Sequence, residues 1–193
     1  MKTLIVYSHP NHLGHHGYFL EQLLLILNNK KIETEVLDLY TLKFDPVLRD
    51  EELRRQDNSV VSDDIKEYRQ KVLEVDKLIF IFPTWWQSVP AILKGFFDRV
   101  FSAGFAFKYQ NGLPVGLLKG KRAAVFSATG GPKIINKLLL GNKGMRVVVN
   151  DTLKFCGMKA DGFSVGSATK FDDKQKRKIL KEVSNLITYL YKK

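Results

Sequence analysis

The segment 77–82 reads Lys-Leu-Ile-Phe-Ile-Phe, five apolar side chains in a row, and Pro83 closes it. A strand turns successive side chains to opposite faces, so one that is apolar throughout is buried on both, as in the middle of a parallel sheet. The rest of the chain supplies partners for such a strand. An apolar, β-rich run at 2–8, an alternating strand pattern at 33–39, a buried run at 122–127 and a last strand near 159–165 are separated by segments with apolar residues at three- and four-residue steps. Those helical segments are 18–27, 61–75, 91–101, a stretch with Leu138-Leu139-Leu140 and 145–155, and 172–191. Ser62 reads as an N-cap, and Pro90 falls in a first turn where its missing N–H costs nothing. Five strands alternating with helices predict an α/β chain: a doubly wound five-stranded parallel sheet in a single domain over 1–193.

Charge narrows the classes of function. The net charge of +11 and pI near 9.6 raise a nucleic-acid partner. Lys and Arg are spread along the whole chain, however, and the densest stretch, 170–181, falls on a terminal helix pattern that reads as a solvated face. No nucleic-acid partner is expected, whereas a field of this sign attracts phosphorylated cofactors. The apolar run at 78–82 is far short of the roughly 20 residues of a membrane span. The N-terminal residues enter a strand without a secretory-signal pattern, so the expected location is cytoplasmic. The single cysteine, Cys156, lies between Phe155 and Gly157 and reads as a packed free thiol.

In an open parallel sheet the ligand site lies beyond the carboxyl ends of the strands, which singles out three loops. The loop after the first strand holds all four histidines, His9, His12, His15 and His16, with Gly14 and Gly17 at the entry to a helix. Free N–H groups at that entry suit a phosphate, although the glycine patterns of nucleotide hydrolases and of dinucleotide-binding folds are both missing. The histidines also raise a transition metal, but the loop has no Cys, Asp or Glu and no metal-ligand spacing, and no metal is expected. Surface histidines are the competing reading. The next loop, Phe82-Pro83-Thr84-Trp85-Trp86-Gln87-Ser88-Val89-Pro90, carries both tryptophans of the chain as a flat apolar wall, suited to stacking on a tricyclic ring or to a subunit interface. The third, Ser127-Ala128-Thr129-Gly130-Gly131, offers successive backbone amides to an electron-rich edge.

On these segments the chain resembles the flavodoxin-like NAD(P)H:quinone oxidoreductase family, which includes ancillary subunits of bacterial potassium-efflux systems. The residues that carry the resemblance run from Phe82-Pro83-Thr84-Trp85-Trp86 through Ala91-Ile92-Leu93-Lys94-Gly95-Phe96-Phe97-Asp98-Arg99 to Gly104-Phe105-Ala106-Phe107. His9-Pro10, Thr129-Gly130-Gly131 and Phe155-Cys156-Gly157 add to it. The resemblance implies a flavodoxin-like fold holding FMN, with NADPH or NADH as hydride donor and a quinone-like acceptor. It implies that His9, His15, His16, Gly17 and Tyr18 hold the flavin phosphate. Pro83, Thr84, Trp85 and Trp86 would flank the ring system, and Thr129, Gly130 and Gly131 its polar edge. Phe107 and Tyr109 match positions that line the substrate pocket from across a homodimer interface. FMN is expected over FAD because the C-terminal extension of FAD-binding members is missing. The sequence departs from the family twice. The 15–18 turn has His15, His16, Gly17 and Tyr18 where the family has a Ser and an Asn, and no Tyr and His follow Gly131, where Lys133, Asn136, Lys137 and Lys143 stand instead. Those lysines read as solvent-facing or as positive charge beside a reduced flavin. Two other readings are a one-electron flavodoxin and a regulatory flavoprotein bound to a membrane transporter.

Overall fold

The computed structural model describes residues 2–53 and 61–192. In chain order its elements are β1 (Lys2–Tyr7), α1 (Gly14–Asn29), β2 (Glu33–Asp38), α2 (Asp50–Leu53), α3 (Asp63–Leu73), β3 (Lys77–Pro83), α4 (Ala91–Val100) and β4 (Phe107–Gln110). There follow β5 (Leu113–Gly116), β6 (Arg122–Ala128), α5 (Lys133–Leu138), α6 (Lys143–Arg146), a wide-turned helical segment Val147–Lys154, β7 (Lys159–Val165) and α7 (Asp173–Tyr191). Five strands form one parallel sheet in the order β2-β1-β3-β6-β7, with Ile5 opposite Ile79 and Ile79 opposite Ala124. The fully apolar β3 is its central strand.

Alternation along the strands divides the core in two. Leu4, Val6, Phe80, Phe82 and Val125 pack with Ile65, Leu93, Phe96 and Leu153 on the side of α3, α4 and the Val147–Lys154 segment. Ile5, Tyr7, Ile79, Ile81 and Phe126 pack with Phe19, Leu23, Val183 and Leu186 on the side of α1 and α7. Both faces being covered, the inner strands β1, β3 and β6 need no polar side and read as nearly unbroken apolar runs, whereas the edge strands β2 and β7 keep polar residues. Progression away from β1 goes one way to β2 and the other way to β3, so the crossovers leave a crevice beyond the carboxyl ends of the adjacent strands β1 and β3.

The fold departs from the sequence reading in four places. The first helix begins at Gly14 and not near residue 18, so His15, His16 and Gly17 are helical. Leu138 ends a short helix, and Leu139 and Leu140 follow it on the surface. The hairpin β4–β5 was not anticipated; its turn is Asn111-Gly112, both at positive φ, a pair that favours the tight turn matching strand twist. Ser62 does precede α3, but its hydroxyl caps nothing in that helix and faces Arg99 at 3.4 Å.

Candidate functional site

Backbone hydrogen bonds continue past the strand ends and fix the height of each loop. The Thr84 amide donates to the Ala128 carbonyl (3.1 Å), Thr129 to Val165 (3.0 Å) and Ala168 to Thr129 (2.9 Å). The Thr84 and Ser127 hydroxyls pair at 2.7 Å beneath. His16 enters this frame from α1: the Ala128 amide donates to its Nε2 at 3.3 Å, and the ring lies against Phe126. A ring nitrogen that accepts an amide hydrogen is unprotonated. Burial, then the neighbouring His9 and His15, push the His16 pKa down to about 3 against a backbone hydrogen bond to Phe82. Burial likewise lowers the pKa of His15, against the charge of Asp172 and a hydrogen bond to the Lys170 backbone.

Two adjoining cavities occupy the crevice and share Thr84, Thr129 and Gly130. The first, of 220 Å³, is lined by His9, Gly14, His15, His16, Pro83, Trp85 and Ala168 besides these. It meets the amino end of α1, whose first amides lack helical acceptors and carry the positive end of the helix dipole. His15 Nε2 is buried beside it without a hydrogen-bond partner. The second, of 400 Å³, is lined by Trp86, Gln87, Gly131, Ile135, Asn136 and Leu140 besides the shared residues. Gln87 Oε1 and Asn136 Oδ1 are buried and unpartnered there, while Asn136 Nδ2 donates to Asn142 Oδ1 at 3.0 Å.

Trp85 and Ser88 close a two-residue turn by mutual backbone hydrogen bonds of 3.1 and 2.8 Å, with Trp86 at φ +51° and Gln87 at φ +59°. Left-handed backbone is strained for residues with a Cβ, at roughly 1–2 kcal/mol each. The turn holds Trp86 almost wholly in solvent beside the half-exposed Trp85, and His9 stacks on His16 below at 4.9 Å.

Ten of the anticipated cofactor residues therefore converge: His9, His15, His16, Pro83, Thr84, Trp85, Thr129 and Gly130 on the first cavity, Trp86 and Gly131 on the second. Two do not. A Cβ on Gly17 would sit 1.6 Å from the His12 carbonyl oxygen, so this glycine lets α1 pack on its own entry loop. Tyr18 lies one step further round the helix, against Phe171 at 5.6 Å. Phe107 and Tyr109 also lie off the crevice within one chain: Phe107 lines a separate 420 Å³ apolar cavity with Phe97, Phe101 and Phe155, and Tyr109 is exposed on the hairpin. Lys133 pairs with Glu182 at 2.7 Å. Gln87 was passed over, and Asn136 was noted only among the lysines; the signal for Asn136 was one amide within an apolar Ile134-Ile135 stretch just after the glycines. Among the described residues no three His, Cys, Asp or Glu converge on a metal site; His12 instead pairs with Asp38 at 2.6 Å and stacks on Tyr7.

A crevice of this kind, at the point where strand order reverses, is the ligand site of the doubly wound α/β class. Residues 1–190 match the family described as flavodoxin-like fold. The chain is 32% identical over 183 residues to an uncharacterized NAD(P)H oxidoreductase of Haemophilus influenzae, covering 93% of this chain and 91% of that one. It is 30% identical over 198 residues to the ribosyldihydronicotinamide dehydrogenase (quinone) of Homo sapiens, covering 92% and 86%. Among solved structures it superposes on Smu.1420 of Streptococcus mutans with a TM-score of 0.85 at 35% identity, over 96% and 97% of the two chains. The NAD(P)H:quinone oxidoreductase of Methanothermobacter marburgensis gives 0.85 at 25% identity, over 97% and 96%. The chain belongs to the flavodoxin-like NAD(P)H:quinone oxidoreductase family, and it is an oxidoreductase.

Proposed function

We propose that the crevice holds FMN and that the protein, as a homodimer, passes hydride from NADPH or NADH to a quinone-like acceptor. The observation that carries this reading is the pair of adjoining cavities, one ending on a helix amino terminus and the other on an apolar wall beside two glycine amides. The donor set fits the group. The free amides of α1 and the unpartnered His15 Nε2 suit one phosphate. Trp85 and Trp86 supply the flat wall, and the Gly130 and Gly131 amides, which have no acceptor among the described residues, suit a carbonyl-rich edge.

When bound, the flavin supplies the hydride-accepting and electron-donating chemistry. The chain's own part is to hold and shield. His16, kept neutral, ties α1 to β6 under the phosphate end, and the Trp85–Ser88 turn fixes the wall. The second cavity receives nicotinamide and acceptor in turn, and a second copy would bring Phe107 and Tyr109 over it. No side chain acts as nucleophile. The names of the relatives support the donor and acceptor classes.

The test is the absorption spectrum of the purified protein, with the heat-released cofactor identified, followed by NADPH or NADH without oxygen. Flavin bands that bleach, and parallel double-reciprocal plots for donor and acceptor, are expected. A protein that stays colourless after incubation with FMN overturns the reading.

A further inference from the structure

Two side-chain amides line the second cavity with their oxygens unmet. Asn136 is 5% exposed and fixed at both ends: its Nδ2 donates to Asn142 Oδ1 at 3.0 Å, and the Asn142 amide donates to its carbonyl at 2.9 Å. With the nitrogen engaged, Oδ1 is the atom left buried and unpartnered at the cavity wall. Gln87 lines the same cavity from the Trp85–Ser88 turn, held at φ +59°, and its Oε1 is also buried and unpartnered. The two walls are packed together, since a Cβ on Gly144 would stand 3.2 Å from the Ser88 carbonyl and 3.3 Å from that of Gln87. Buried amide oxygens are seldom left unpaired in a folded chain, so a pair of them in one cavity selects a ligand with N–H or O–H to give.

The molecules of the proposed reaction differ in this respect. A quinone only accepts hydrogen bonds. The polar edge of a flavin has one N–H set between two carbonyls, and the Gly130 and Gly131 amides suit those carbonyls. The carboxamide of a nicotinamide carries two N–H donors on one nitrogen, which matches two waiting oxygens.

We infer that Gln87 and Asn136 position the hydride donor by accepting hydrogen bonds from its carboxamide nitrogen, while the quinone that follows it into the cavity gains nothing from them. One cavity thereby tells donor from oxidant. The inference rests on the flavin-reductase reading.

The experiment compares nicotinamide dinucleotides on the FMN-loaded protein. The thionicotinamide analogue keeps the carboxamide nitrogen, and the acetylpyridine analogue has a methyl group in its place. In calorimetric titration the oxidised natural dinucleotide and its thionicotinamide analogue should bind about tenfold more tightly than the acetylpyridine analogue, the difference that one buried hydrogen bond makes. Gln87→Met, which keeps the length of the side chain and removes the oxygen, and Asn136→Leu should each erase most of that preference. In the same variants kcat/KM for the reduced dinucleotide should fall about tenfold, and that for the quinone far less. Gln87→Glu, which keeps an oxygen in place, should restore the preference. The Gln87 side chain makes no hydrogen bond among the described residues, so its two variants decide the matter if Asn136→Leu does not fold. Equal affinity for the three dinucleotides, with the flavin still bleached by NADPH or NADH, overturns the inference alone. So do variants that weaken FMN binding and leave the preference intact, which would turn the two oxygens toward the flavin. A bound flavin that neither NADPH nor NADH bleaches overturns the flavin-reductase reading and this inference with it.

Discussion

The Ala128 amide, at the carboxyl end of β6, finds its acceptor 112 residues away in the His16 ring. Protonation at Nε2 would turn that acceptor into a donor facing a donor, in a buried place. The resulting pH dependence has a definite sign. In the unfolded chain the ring titrates near 6.5, and in the folded chain at about 3. Below 6.5 the unfolded state therefore binds a proton that the folded state refuses. The stability this group confers is complete above pH 6.5 and drains away as pH falls, by about 1.4 kcal/mol per unit for one proton. Between pH 6.5 and 5, where carboxylates contribute little, His16→Gln should flatten the fall in the urea midpoint by that one-proton share. An unchanged slope would mean that the ring is not held neutral. Nothing in the sequence separates His16 from His15, since both stand at a helix entry; only the contact with β6 makes one of them a fastener.

The Trp85–Ser88 turn shows an element held in an unfavourable shape beside a site. Two residues with side chains occupy left-handed backbone, whereas Asn111-Gly112, in the same kind of turn on the hairpin, has a glycine and an asparagine that tolerate it. Trp86 loses no packing when replaced, being almost wholly exposed, and Asn accepts its backbone angles. Trp86→Asn should therefore raise stability by about 1 kcal/mol, or roughly 2–4 °C in Tm for a chain of this size. The same variant should weaken FMN binding, measured by flavin fluorescence quenching; a lower Tm would show that the turn is unstrained. At this scale the sequence was most legible in the sheet: all five of its strands, β1, β2, β3, β6 and β7, stand within one residue of the runs that predict them. It was least legible where burial is slight. The hairpin strands keep most of their residues at least partly exposed and show no alternation, so only the Asn-Gly pair betrays them. The start of α1 was hidden because two histidines and a glycine look like loop, while Gly17 is there to admit the His12 carbonyl.

Across the whole molecule the net charge of +11 acts on anything that carries a phosphate. Screening shortens the reach of that field from about 10 Å at 0.1 M salt to about 3 Å at 1 M. In stopped-flow mixing with protein stripped of flavin, association with FMN should slow steeply as salt rises, while riboflavin, without the phosphate, should hardly respond. Equal salt dependence for the two would place the phosphate outside the field. The rule that ligands gather beyond the strand ends made the location of the crevice readable before any side chain was placed, because topology alone creates it. The roles within it were not readable, because they depend on which loops meet. Among the described residues no helix is long and apolar enough to cross a membrane. One further feature concerns the chain's durability. Cys156 is 2% exposed, and burial pushes its thiol up to about 12. Peroxide generated when a reduced flavin meets oxygen attacks thiolates, and the only sulfhydryl of this chain supplies almost none at neutral pH. Burial of Cys156 therefore guards its sulfur against sulfenic acid formation. A cysteine introduced anywhere on its surface would be the sole site taken by a maleimide dye.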